Sequence, residues 1–213
     1  MQVFPTIKTG LARMTLAVGF LTSTGSAISE ERATAIFAGG CFWCVEKDFD
    51  QVDGVLETTS GYIGGDKENP SYKQVTQGGT GHYEAVKIVY DKSKVSYDQL
   101  LTAFWHSVDP TDPGGQFCDR GDSYRTAIFA TDASQFQQAT ESKAGIAADL
   151  KTEIATPILN ASTFYPAEEY HQDYYKKNPI RYRYYRFSCG RNAKVERLWG
   201  KKAYMGIKDN KGS

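Results

Sequence analysis

"ATAIFAGGCFWCVEKDFD", residues 33–50, changes its period at two glycines. Before them, "ATAIFA" (33–38) is a short apolar run that reads as a buried strand. After them, "CFWCVEKDFD" reads as a helix beginning at Cys41. Gly39 and Gly40 allow a sharp turn and a close approach by another molecule. A thiol at a helix start faces unpaired backbone N–H groups and the positive end of the dipole, and both favour a thiolate. Cys44 follows three residues later, with Phe42 and Trp43 between the two thiols. A structural staple needs no aromatics there, and a zinc knuckle prefers small or polar spacers. The stretch therefore reads as a nucleophilic thiol beside an apolar slot.

Further along, "VLETTSGYIGG" (55–65) is a strand running into a glycine turn, and "HYEAVKIVY" (82–90) alternates. Glu84, Val86, Ile88 and Tyr90 share one face of the latter, predicted to be the core face. Tyr83, Ala85, Lys87 and Val89 share the wetter one. Ser96 with Gln99 makes a capping box before a helix with an apolar stripe of Leu100, Leu101, Phe104, Trp105 and Val108. A loop (109–123) leads into a strand (124–130), and Asp132 with Gln135 opens a helix to about Leu150. A last strand is expected over 152–159 and a last helix over 166–178. From Pro179 a Tyr- and Arg-rich tail carrying Cys189 is expected to be irregular. Interspersed strands and short loop-joined segments point to an α+β class: one domain, a sheet with helices packed on it in a two-layer sandwich.

Composition bounds the function. Of 213 residues, 25 are basic and 25 acidic. The balance gives no electrostatic footprint for nucleic acid, and no acidic run suggests a disordered tail. Lys8 and Arg13 precede the apolar "MTLAVGFL" (14–21), and the small polar "TSTGSA" (22–27) follows. That order matches a secretory signal. The apolar run is far shorter than the ~20 residues of a membrane-spanning helix. Cleavage after Ala27 would leave a mature domain of residues 28–213, tail included, exported to a bacterial periplasm; the alternative is a cytoplasmic chain.

The four cysteines are Cys41, Cys44, Cys118 and Cys189. An even count in an exported chain also allows two structural disulfides. Two thiols three residues apart fit redox chemistry better, and Cys118 reads as a buried structural thiol. Glu84, placed on the core face, would be pushed toward the neutral acid by burial, as a proton donor requires. His82 and His171 read as structural. A thioredoxin-like dithiol oxidoreductase shares the strand–Cys-x-x-Cys–helix signature. A zinc module would need a second close-spaced doublet that the sequence lacks.

Taken together, "GCFWCVE" (40–46), "GYIGG" (61–65), "NPSYKQV" (69–75), "GTGHYEAVKIVYD" (79–91), "FCDRGDSYRTAIF" (117–129) and "YHQDYYKKNP" (170–179) resemble the A-type peptide-methionine sulfoxide reductases. The resemblance runs from about residue 33 to 180. It implies a ferredoxin-like core and reduction of methionine-S-sulfoxide, free or in proteins, with no metal or organic cofactor. Cys41 matches the family nucleophile, and Phe42 and Trp43 match the pocket for the substrate's S-methyl group. Glu84 matches the acid on the sulfoxide oxygen, Tyr72 and Tyr124 match tyrosines that hydrogen-bond that oxygen, and Asp119 matches an acidic residue of the same site. A thioredoxin-like dithiol is the implied reductant, and a monomer is expected. Many members have Gly where this chain has Cys44, so the resolving thiol is either Cys44, the first choice on helical spacing, or Cys189.

Overall fold

The computed structural model describes residues 1–4, 6 and 31–208. The leader read in residues 1–27 lies outside the described residues except for 1–4 and 6. Among the described residues, no helix is long and apolar enough to cross a membrane.

The chain opens with β1 (Arg32–Gly39), α1 (Phe42–Phe49), β2 (Val55–Ile63) and a short α2 (Tyr72–Thr76), then β3 (Tyr83–Asp91) and α3 (Tyr97–Trp105). A small hairpin, β4 (Gly115–Gln116) and β5 (Asp119–Arg120), precedes a 3-10 turn at Asp122–Tyr124 and β6 (Thr126–Ala130). After α4 (Ala133–Leu150) come β7 (Ile158–Asn160), β8 (Tyr165–Pro166), α5 (Tyr174–Lys177), α6 (Pro179–Ser188) and α7 (Arg191–Trp199). The main sheet has the order β7-β6-β1-β3-β2-β8. Its centre, β6-β1-β3-β2, is antiparallel throughout, with β1 and β2 joined across α1 and separated by β3. That is the βαββαβ arrangement of the ferredoxin-like core. β7 adds parallel to β6, and β8 adds antiparallel to β2.

The period-2 reading of β3 holds. Val86, Ile88 and Tyr90 pack under α1 and α3 with Phe37, Phe49, Leu100 and Phe104. Phe37 stacks between Phe49 and Phe104, ring centroids 5.2 and 5.0 Å away. The opposite face is drier than the sequence suggests. Ile36, Ala38, Ile63, Tyr83, Ala85, Ala127 and Phe129 form a second apolar cluster against Leu159 and Phe164. Lys87 lies over the Phe164 ring, its Nζ 5.5 Å from the centroid.

Three expectations change in the C-terminal third. The strand expected over 152–159 pairs only at its end, Ile158–Asn160; Ile154 and Thr156 are buried outside the ladder. The helix expected over 166–178 is reduced to Tyr174–Lys177, because Asp173 turns the chain into the left-handed region at φ 53°. The tail expected to be irregular is instead two helices. Pro179 opens α6 where its missing N–H costs nothing, and Gly190 at φ 69° turns the chain into α7. Both pack on α1 and the end of α3 through buried arginines: Arg186 donates to Asp48, and Arg191 donates to the carbonyls of Gly39 and Ser107.

Candidate active site

Gly40 turns the chain from β1 into α1 at φ 82°, and Cys41 stands at the N-cap of α1. The Phe42 N–H, first of the helix, donates to Glu84 Oε2 at 3.1 Å. Glu84 projects from the start of β3 toward that helix end, on the face read from the alternation. The positive end of the α1 dipole is therefore occupied by Glu84 rather than left to the thiol.

Cys41, Phe42, Trp43, Tyr72, Glu84, Asp119, Tyr124 and Tyr185 line one cavity of about 50 Å³. That is far below the ~300–1,000 Å³ of pockets that take drug-sized ligands, so it suits the end of one side chain. The seven expected catalytic and substrate-binding residues thus converge, although they come from five separate segments. Tyr185 was not foreseen. Two wider hollows of about 460 Å³ each lie near Asp50 and Gly79 and contain no thiol.

Neighbours fix each wall. Trp43 stacks on Tyr174, centroids 3.7 Å apart and rings 7° from parallel, and its indole N–H donates to His171 Nδ1 at 3.1 Å. His171 is structural in the sense expected: it orients the tryptophan. Tyr72 sits in the first turn of α2, where its backbone N–H donates to Glu168 Oε1 at 2.9 Å; Glu168 Oε2 accepts from the Tyr62 hydroxyl at 2.8 Å. Asp119 accepts from the Tyr185 hydroxyl. His82 lies away from the cavity, bonded to Gly65 N and the Lys67 carbonyl.

Burial sets the protonation states. Glu84 is 1% exposed and its Oε1 has no hydrogen-bond partner. Burial raises its pKa to about 8 and the Asp119 charge adds to the rise, against weaker pulls from the Phe42 N–H and the Tyr124 hydroxyl. It is a neutral acid at pH 7, with one oxygen free to serve a guest. Burial also raises Tyr72, to about 12, and raises Tyr124, so both hydroxyls keep their protons as donors. The Cys41 thiol is pushed well up, first by burial, then by its bond with Cys44, and the Asp119 charge adds to the rise. The sequence expectation of a thiolate at Cys41 is corrected to this extent: the helix end that would support it is used by Glu84.

The two further cysteines are bonded to each other. Cys118 and Cys189 form a disulfide with Cα atoms 5.0 Å apart, while Cys41 and Cys44 are free and buried. Cys118 is exposed, not the buried thiol expected. The bond ties the β4–β5 hairpin to the end of α6, next to Asp119, whose carboxylate lies 3.9 Å from the Cys189 sulfur.

Residues 33–203 match the family model described as peptide methionine sulfoxide reductase. A Rhizobium meliloti protein described as peptide methionine sulfoxide reductase MsrA 2 is 54% identical over 173 residues, 81% of this chain and 86% of that one. A Bacillus licheniformis protein described as peptide methionine sulfoxide reductase MsrA is 52% identical over 177 residues, 82% of this chain and 98% of that one. Methionine sulfoxide reductase A of Corynebacterium diphtheriae superposes with a TM-score of 0.68 at 35% identity, covering 70% of this chain and 76% of that one.

Proposed function

The chain belongs to the peptide methionine sulfoxide reductase family, and from that premise we propose that it reduces methionine-S-sulfoxide, free or in proteins, to methionine in the cavity at Cys41. The observation that carries this reading is the neutral, buried Glu84 carboxyl with Oε1 unpartnered, in the same cavity as a thiol. A sulfoxide sulfur accepts a nucleophile only when its oxygen is relieved of charge. A carboxylic acid and two phenol donors opposite a thiol supply that relief.

The S-methyl group rests against Phe42 and Trp43, and the sulfoxide oxygen takes bonds from Glu84, Tyr72 and Tyr124. Cys41 attacks the sulfur. Two electrons pass from the Cys41 sulfur to the substrate sulfur, methionine leaves, and Cys41 becomes a sulfenic acid. A second thiol displaces water from it, forming an intramolecular disulfide that a thioredoxin-like dithiol reduces. Cys44 is the first choice for that thiol. It lies one helical turn from Cys41, where Cα spacing of ~5 Å falls within the ~4.4–6.8 Å a disulfide accepts. Cys189 is the second choice, and would need its bond to Cys118 opened first. Asp119 shapes the field on Glu84.

Turnover on the two methionine sulfoxide epimers with a dithiol reductant tests the reading: the S epimer is consumed and the R epimer is not. Consumption of neither refutes it. Cys44→Ser and Cys189→Ser, each followed by peptide mapping after one turnover, assign the resolver; a Cys41–Cys44 disulfide in the Cys189 variant supports Cys44. Residues 1–27 we read as a cleaved leader directing the chain to a bacterial periplasm. A mature cytoplasmic chain still beginning at Met1, found by N-terminal sequencing, would remove that reading.

A further inference from the structure

We propose that Glu168 is a positioning residue whose carboxylate clamps the start of α2 to β2 and so sets the Tyr72 hydroxyl at the place of the sulfoxide oxygen. The proposal rests on the reading of the cavity as the sulfoxide site. Its basis is where Tyr72 stands in the chain. Tyr72 belongs to the excursion between β2 and β3, and residues 64–81 of it are exposed over most of their length. Pro70 and Val75 are buried there, and Tyr72 is half-buried. The Tyr72 ring meets those of Phe42 and His171, centroids 6.3 and 4.3 Å away.

Among the described residues, two hydrogen bonds tie residues 64–81 to the C-terminal part of the chain. Gly64 N–H donates to Ser162 Oγ at 3.3 Å, and Tyr72 N–H donates to Glu168 Oε1 at 2.9 Å. The second lies at the functional residue itself. That N–H opens α2 and has no acceptor inside the helix. A carboxylate is a stronger acceptor for it than a neutral oxygen.

The other end of the clamp is in the core. Glu168 Oε2 accepts from the Tyr62 hydroxyl at 2.8 Å, and Tyr62 is 0% exposed. Tyr62 on β2 is the ladder partner of Glu84 on β3. One carboxylate thus refers the phenol of α2 to the strand position opposite the acid, and the two donors for one oxygen share a reference point. Glu168 is itself on a fixed segment. Ala167 N–H donates to the Ser60 carbonyl, and the Gln172 amide accepts from the Ser60 N–H and donates to the same carbonyl, each at 2.9 Å. Burial opposes the Glu168 charge, but the Tyr72 N–H and the Tyr62 hydroxyl hold its pKa below the ordinary carboxylate value, so both oxygens accept at neutral pH. Its neighbour Glu169 differs: that side chain is 89% exposed and pairs with Lys177 at 2.7 Å, a surface contact worth little.

The clamp acts on one side of the cavity. The methyl side rests on Trp43, which donates to His171, and the His171 N–H donates to the Glu168 carbonyl at 2.8 Å. That last bond is main chain and survives truncation of the side chain. Removing the carboxylate therefore frees the oxygen side and leaves the methyl side in place.

The test is a double-mutant cycle on single-turnover methionine release from methionine-S-sulfoxide, in the full chain. Glu168→Ala should slow release by about 10²-fold, the scale of a ~1 Å misplacement set up away from the chemistry. The substrate concentration for half-maximal rate should hardly move. Glu168→Gln should recover most of the rate, because its carbonyl accepts from the Tyr72 N–H and its amide N–H donates to the Tyr62 hydroxyl oxygen. In a Tyr72→Phe background, which Glu84 and Tyr124 keep measurable, the Ala change should cost almost nothing further, since the hydroxyl it misplaces is gone. Glu169→Ala should match the parent. If Glu168→Ala does not fold by circular dichroism, Glu168→Asp, one methylene short of the Tyr72 N–H, takes its place in the cycle. A parent rate in that variant overturns the proposal. So does equal slowing in both backgrounds, which marks general loosening, and so does a Gln variant as slow as the Ala one. A parent chain that consumes neither sulfoxide epimer would instead refute the sulfoxide reading, a separate failure seen without any variant.

Discussion

Glu84→Gln removes the proton donor and keeps the shape. Burial takes the Glu84 carboxyl from an ordinary 4.5 to about 8. At pH 7 such an acid is about 90% protonated, against about 0.3% for an unperturbed one, so burial raises the donor population roughly 300-fold. Glutamine fills the same volume and offers an N–H to the sulfoxide oxygen, but it has no transferable proton. Its amide can still accept from the Phe42 N–H, so the α1 turn should persist. Loss of general-acid help is expected to slow methionine formation by ~10²–10⁴, with KM little changed. The pH profile is the sharper measurement. In the parent enzyme, single-turnover methionine release should fall as pH rises through about 8, because the acid form is then lost. The Gln variant should lack that limb. The stability profile has a matching sign: the folded carboxyl binds its proton more tightly than the unfolded one, so its contribution is full below about 4.5 and lost as pH rises through about 8. Glu84→Gln should therefore melt less steeply with rising pH. An unchanged single-turnover rate, or a Gln variant that keeps the alkaline limb, would refute the assignment of Glu84 as the acid.

Cys41→Ser should abolish turnover, since a hydroxyl does not replace the thiol as nucleophile; a methionine-release assay with substantial residual rate would remove Cys41 from the chemistry. Gly40→Ala should lose activity and ~1–3 kcal/mol of stability from its backbone alone, because φ is 82° and a Cβ would lie 2.5 Å from Gln116 Cβ. Gln116 has no room to give, being bonded to both Asp109 backbone groups; denaturant melts check this. Cys118→Ser opens a bridge spanning 71 residues. The chain-entropy estimate for such a loop is about 4 kcal/mol, or roughly 10 °C in Tm for a domain of this size, and a thermal scan that does not move would show that the bridge is no staple.

The parts of the fold that were legible are those where one local rule dominates. The two-residue period of β3 put Glu84 on the right face, and the capping box at Ser96 marked the start of α3, where Gln99 and Ser96 bond reciprocally. The Gly-Gly turn before Cys41 located the thiol that lines the cavity. What escaped detection depends on distant partners. "IRYRYYRFS" (180–188) has no apolar stripe, and its helix is held through Arg186 and Tyr182, which are buried by polar contacts rather than by hydrophobic patterning. Tyr185 enters the cavity from that helix, so no spacing around Cys41 could reveal it. The Cys118–Cys189 pairing joins residues that only the packing of α6 brings together. The left-handed Asp173 broke a helix that propensity alone would extend, because its N–H bonds to Glu46 Oε2 at 3.0 Å.

The late position of α6 and α7 in the chain has a consequence for biosynthesis. Translation delivers β1, α1 and the sheet strands before either helix exists. A growing polypeptide thus holds Cys41, Cys44 and Glu84 while Tyr185, Arg186 and Arg191 are still to be added. Until they arrive, the Gly39 carbonyl has no guanidinium, Asp48 has no counterion from α6, and Cys118 has no partner sulfur. Cys41 is among the first parts of the domain to be made, and Tyr185, which closes its cavity, is among the last.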